Sequence, residues 1–94
     1  MISGEAVFRL RGDVRFRRVP PEGVVVRQTD PEVLVVNDLG ARVLEALDGA
    51  HPVSSLLRTF AAEYDVEEGR LEEDVKAFLD ELLAGRIIES VDGR

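Results

Sequence analysis

Cysteine and tryptophan are absent from these 94 residues. Without thiols there are no disulfides, no thiol catalysis and no cysteine zinc sites. A single histidine (His51) and a single tyrosine (Tyr64) leave little acid–base chemistry beyond carboxylates. No apolar run exceeds four residues, whereas a helix that spans a bilayer needs roughly 20. The stretch Met1 to Gly12 carries Glu5, Arg9 and Arg11 and lacks an apolar secretory core. No signal peptide and no membrane partner are therefore expected, and the expected location is cytoplasmic. The net charge of −7 opposes binding to nucleic acid or to anionic lipid.

What remains is an ordinary globular composition, 45% hydrophobic and 33% charged, long enough for one domain. The charge is divided unevenly. Residues 1–30 hold six Arg against four acids, a net of +2, and residues 31–94 hold six basic residues against fifteen acids, a net of −9. Val, Arg, Pro and Gly dominate the first part, and Leu, Ala and Glu the second. Strands followed by helices make an α+β domain. The expected division is an N-terminal extension over 1–12, with Val7, Phe8 and Leu10 docking weakly, and a domain over 13–91.

Val14 to Val19 reads as a first strand, because Val14 and Phe16 alternate with Arg15 and Arg17. Pro20, Pro21 and Gly23 interrupt it. A second strand runs from Gly23 to Thr29 and a third from Glu32 to Asn37, joined by the turn signal Asp30-Pro31. Short connections make this an antiparallel meander with sheet order 1-2-3. Asn37 or Asp38 can cap a first helix, which Asp48-Gly49 ends with Gly as the left-handed cap. In the second helix, Val53 to Tyr64, the residues Val53, Leu56, Leu57, Phe60, Ala61 and Tyr64 match the amphipathic template. An acidic capping box over Asp65 to Glu68 starts a third helix, which reaches Ala84 before Gly85 stops it. Ile87 and Ile88 then fold back on the core. The whole is a winged helix-turn-helix-like domain, a three-stranded antiparallel sheet followed by three helices.

Two features point to a binding surface. Arg15, Arg17 and Arg18 on the first strand discourage pairing with foreign strands. The third strand has no charge after Glu32: Val33, Leu34, Val35 and Val36 are all apolar, so its free N–H and C=O groups can template an added strand. The same pattern also fits a strand covered by helices on both sides. On the third helix, Leu71, Val75, Phe78, Leu79, Leu82 and Leu83 span an arc of about 140°, against about 100° for a single core contact. One flank can line a groove, or the helix is buried on two sides. No residue reads as catalytic. His51 before Pro52 lacks a partner and is expected to cap the second helix; Ser54 and Ser55 help to start it. The acids Glu67, Glu68, Glu72, Glu73 and Asp74 lack the alternating ligands and central Gly of a calcium loop and complement a helix dipole instead. No metal site and no cofactor are expected.

The run Val35-Val36-Asn37-Asp38-Leu39-Gly40-Ala41-Arg42-Val43-Leu44, closed by Leu47-Asp48-Gly49, resembles a signature of PqqD-like proteins. These are chaperones of pyrroloquinoline-quinone biosynthesis and, more broadly, recognition elements for ribosomally made, post-translationally modified peptides. Tyr64-Asp65-Val66, Asp74-Val75, Phe78-Leu79, Leu82 and Gly85-Arg86-Ile87-Ile88 resemble the second half of that family. The resemblance covers residues 13–89. It departs at Val36, where the family often has Leu, and at Pro52, where it often has Ser or Thr; Pro is tolerated in a first helical turn.

The resemblance implies a non-enzymatic module that binds a precursor's leader peptide by strand addition and presents it to a partner enzyme. That enzyme is implied to be a radical-SAM protein or, in lasso-peptide systems, a leader peptidase. Carried over by position, the implied peptide-binding residues are Val33, Leu34, Val35, Val36, Asp74, Val75, Phe78, Leu79 and Leu82. The alternatives are a winged-helix DNA-binding domain, against which the acidic third helix argues, and a small structural module that dimerises through the apolar strand.

Overall fold

The computed structural model of the chain describes residues 2–91, the side chains of Asp30 and Pro31 excepted. The elements in chain order are β1 (Phe8–Leu10), β2 (Val14–Val19), β3 (Glu22–Arg27), β4 (Asp30–Val36), α1 (Asp38–Ala46), α2 (Val53–Tyr64), α3 (Glu68–Ala84) and β5 (Ile88–Ser90). Strands β2, β3 and β4 form the expected antiparallel meander in that order. Its register pairs Phe16 with Val25 and Val25 with Leu34, and a bulge falls between Val26 and Arg27.

Alternation along the strands gives the sheet two unlike faces. Val14, Val25 and Val36 point inward and are buried, and Gly23 is buried beside them. A Cβ added at Gly23 would lie 2.5 Å from the Phe16 ring and 3.0 Å from the Ala41 side chain. Glycine here lets α1 and the Phe16 ring approach the sheet closely. Above that face the helices pack around Phe60, Leu79, Leu82, Val43 and Val53, all essentially inaccessible to solvent.

The helix ends explain where elements begin. Asn37 caps α1: its Oδ1 accepts the Gly40 N–H at 2.8 Å. Gly49 adopts the left-handed conformation at φ +77°, but two residues past the C-cap, Leu47. The expected capping box over Asp65 to Glu68 does not form. The link between α2 and α3 is so short that Asp65 is consumed as the left-handed C-cap of α2, at φ 52°, and Glu67 stands at the N-cap of α3 with no side-chain bond. After α3, Gly85 keeps a right-handed φ of −80° and Arg86 takes the positive φ of 58°.

The N-terminal segment is more deeply engaged than the weak docking expected of it. Strand β1 pairs antiparallel with β5, and Ile2 and Phe8 are core residues, each about 5% exposed. Its backbone also supplies the cap expected from His51: the carbonyls of Ala6 and Gly4 accept the N–H groups of Val53 and Ser54 at 2.9 and 2.8 Å. His51 instead places Nδ1 2.6 Å from Asp48 Oδ2, and Ser55 Oγ donates to the Pro52 carbonyl rather than capping. Proline at the α2 N-cap offers no side-chain acceptor, so backbone carbonyls from elsewhere satisfy the free donors. Those donors carry no sequence pattern that names their partner.

Two outcomes follow. Phe8→Ala empties a buried aromatic site and is expected to cost about 3–5 kcal/mol in urea unfolding; a loss under about 1 kcal/mol would show that the segment docks only loosely. Gly23→Ala is expected to cost about 1–3 kcal/mol by pushing Phe16 aside, measured the same way.

Candidate functional site

Strand β4 has a partner on one side only. It pairs with β3, and among the described residues no strand lies along its other edge. Alternate backbone N–H and C=O groups on that edge are therefore unpaired within the sheet. Three consecutive side chains there are exposed: Val33 at 54%, Leu34 at 41% and Val35 at 56%. The sequence left open whether this strand is covered by helices or free. It is free at the edge, and of residues 32–36 only Val36, at its end, is buried.

Beside the edge lies a groove of about 520 Å³. Its sheet wall is residues 32–37, with Val14, Val25 and Arg27 behind, and its helix wall is Phe78, Glu81, Leu82 and Gly85 of α3, followed by Ile87. The helix spacing explains this wall: Phe78, Glu81, Leu82 and Gly85 follow one another at three- and four-residue steps and share one flank. The neighbouring flank, with Leu71, Val75 and Leu79, seals the core. The broad apolar arc thus serves two surfaces.

Of the nine residues singled out from the sequence, Val33, Leu34, Val35, Val36, Phe78 and Leu82 line the groove. Asp74 and Val75 line an adjoining hollow of about 220 Å³ with Asn37, Leu39, Gly40, Val43 and Phe78. The Phe78 side chain borders both hollows, and Val75 is only 2% exposed. Leu79 lines neither and is buried at 1%. Sequence reasoning missed Arg27, Glu81, Gly85 and Ile87. Glu81 was legible in principle, three residues after Phe78 on the same face. Arg27 continues the inward alternation of Gly23 and Val25 and stands opposite Val14, but nothing in its residue type shows that it reaches the end of α3. Its guanidinium donates to the Gly85 carbonyl and lies 3.8 Å from Asp13. It ties the sheet to the end of α3.

The ionisable side chains that line the groove are Arg27, Glu32 and Glu81. The groups held away from their ordinary ionisation lie elsewhere, each with a structural cause. Burial and the hydrogen bond to Asp38 push the Tyr64 phenol up. The Arg42 guanidinium holds the Glu63 carboxyl below the usual range. The Ala50 N–H and His51 hold Asp48 below it. No group of three or more potential metal ligands occurs among the described residues, and no helix among them is long and apolar enough to cross a membrane. The exposed surface of α3, which a DNA-binding domain would lay on phosphates, carries Glu68, Glu73, Asp74, Asp80 and Glu81 against Arg70.

Comparison with known proteins agrees with this geometry. The family described as Coenzyme PQQ synthesis protein D (PqqD) matches residues 22–88. A protein of Rhizobium meliloti (strain 1021) described as a PqqA binding protein is 31% identical over 91 residues, covering 97% of this chain and 93% of its own. The solution structure of the PqqD truncation of Methylobacterium extorquens PqqCD, described as a stand-alone recognition element for ribosomally synthesized and modified peptides, superposes with a TM-score of 0.78 at 27% identity. It covers 95% of each chain. TbiB1, solved in complex with the TbiA(beta) leader peptide, shares the fold with a TM-score of 0.77 at 20% identity, over 86% of this chain and 94% of that one. An open strand beside an apolar helix flank, on a chain whose sequence matches from β3 to β5, places this protein in the PqqD family.

Proposed function

We propose that the chain is a non-enzymatic recognition element. It binds the leader segment of a ribosomally made precursor peptide as an added strand on β4, and it presents the rest of the precursor to a modifying enzyme. The observation that carries this reading is the vacant edge of β4 standing over an apolar groove. A relative described as a PqqA binding protein and a fold neighbour solved with a leader peptide support it.

In the proposed complex the peptide's backbone completes the ladder and every second side chain points into the groove. Leu34, Val36, Phe78 and Leu82 receive those side chains, with Ile87 at one end. Val33 and Val35 contribute backbone, their side chains pointing to the other face of the sheet. Asp74 and Val75 extend the site into the adjoining hollow, and Leu79 acts from beneath by holding α3 in place. The chemistry belongs to the partner, a radical-SAM protein or a leader peptidase.

The reading is tested by titrating the nitrogen-15-labelled chain with leader peptides encoded beside its gene. Amide shifts are expected to concentrate on residues 32–36 and 78–87; shifts elsewhere, or none, would remove the proposal. A second test uses strand geometry. Neighbouring residues of an edge strand point their N–H groups to opposite sides, so a proline in one position breaks the ladder to β3 and in the next removes only a vacant donor. Of Leu34→Pro and Val35→Pro, one is therefore expected to lower the melting temperature. The other should keep it while weakening leader binding about tenfold or more, the size of one lost and unreplaced backbone bond. If the variant with unchanged melting temperature binds within twofold of the parent, strand addition is wrong.

A further inference from the structure

The sheet has a second exposed face, opposite the groove. Six large apolar side chains stand exposed among the described residues, and four of them, Val19, Val26, Val33 and Val35, project from this outer face. Cross-strand pairing joins three of them, with Val24, into one patch: Val24 lies opposite Val35, and Val26 opposite Val33, while Val19 stands at the end of β2 opposite Glu22. The next row, on β2, is Arg15 opposite Val26 and Arg17 opposite Val24. Arg15 donates only to the backbone carbonyls of Gly12 and Val14, and Arg17 forms no ion pair among the described residues. In a chain of net charge −7, this face is apolar and basic, with Glu22 as its carboxylate at the turn.

We infer that the outer face of β2–β4 docks the enzyme that modifies the bound peptide, through an apolar surface rimmed by carboxylates. The inference rests on the leader-binding reading. Three observations select this occupant. The two unneutralised arginines call for acidic groups opposite them, which steer association and fix its register. The exposed valines amount to a patch on the order of 300 Å², well short of the roughly 800 Å² per partner of a stable complex. The valines alone therefore do not make a stable interface, and a second copy stacked face to face would bring a basic face against a basic face, whereas an acidic rim would complement it. Finally, a leader strand added to β4 extends this same sheet, and its outward side chains prolong the valine patch. A partner seated on the face then touches domain and leader together, and the loaded form offers more area than the empty one.

The test uses Arg15→Glu combined with Arg17→Glu, and separately Val26→Thr, a change that keeps strand propensity. Leader affinity, read by fluorescence polarisation, is expected to stay within twofold for both. Each peptide-modifying enzyme encoded beside this chain's gene is purified and measured against the leader-loaded domain by biolayer interferometry. The charge reversal is expected to weaken the interaction at least tenfold and to abolish its salt dependence; Val26→Thr should weaken it several-fold. The parent is expected to bind the enzyme more weakly without leader. Enzyme binding within twofold of the parent for both variants overturns the proposal, as does no enzyme binding to the loaded parent. A parent that sediments as a dimer and becomes monomeric on Val26→Thr overturns it in favour of a second copy. If the parent fails to bind leader at all, it is the leader-binding reading that falls, and the two failures are told apart by the polarisation measurement alone.

Discussion

A row of backbone donors and acceptors along β4, left without a partner strand, is the constraint around which this small domain is organised. An exposed edge is ordinarily a hazard, since it pairs with any extended chain, and proteins blunt it with charge, proline or cover. The two edges of this sheet are treated oppositely. Strand β2 carries Arg15, Arg17 and Arg18, and Arg18 is tied to Asp38 and Glu45 on α1. Strand β4 presents Val33, Leu34 and Val35 to solvent. Side chains that invite pairing have been kept on the edge that lies beside a groove.

Keeping that groove open requires α3 to stand at a fixed distance from β4, and the chain spends much of its remaining structure on this. The lower flank of α3, with Leu71, Val75 and Leu79, is locked into the core, and Leu82, 1% exposed, sits where that flank meets the groove. Its C-terminal end is held from two sides: Arg27 reaches the Gly85 carbonyl, and the Arg11 N–H donates to the Ile87 carbonyl at 3.0 Å. Strand β5 then pairs with β1, and the segment before β1 caps α2 with its carbonyls. The first dozen residues thus brace the helical layer behind the groove. Their sequence shows only a short apolar cluster, because backbone carbonyls acting as caps have no side-chain signature.

This explains which parts of the molecule could be read from the sequence. The meander and the bounds of α2 follow from apolar periodicity, which is local and strong. The three helices follow for the same reason, and the uncharged run from Val33 to Val36 marks β4. The division of α3 between core and groove could not be read, since Leu79 and Leu82 have the same chemistry and only the angle of the helix decides which wall each faces. Arg27 was hidden for a different reason: alternation along β3 turns it inward, but its partner, the Gly85 carbonyl, is a backbone group with no side-chain signature. The role of Asp65 was misread because two helix ends compete for one residue in a three-residue link, and the C-terminal claim prevails.

The proposed function divides recognition and chemistry between two proteins. An added strand is well suited to that division. Main-chain bonds hold it whatever its sequence, and its side chains alternate, so half face the recognising domain and half face away. In the proposed complex the inward half would meet Leu34, Phe78 and Leu82, and the outward half would join Val33 and Val35 on the open face of the sheet. The pleat of one strand thereby separates two specificities. On the proposed reading, substitutions on the inner face would alter which leader is held and substitutions on the outer face which protein sees it, so each could vary without disturbing the other.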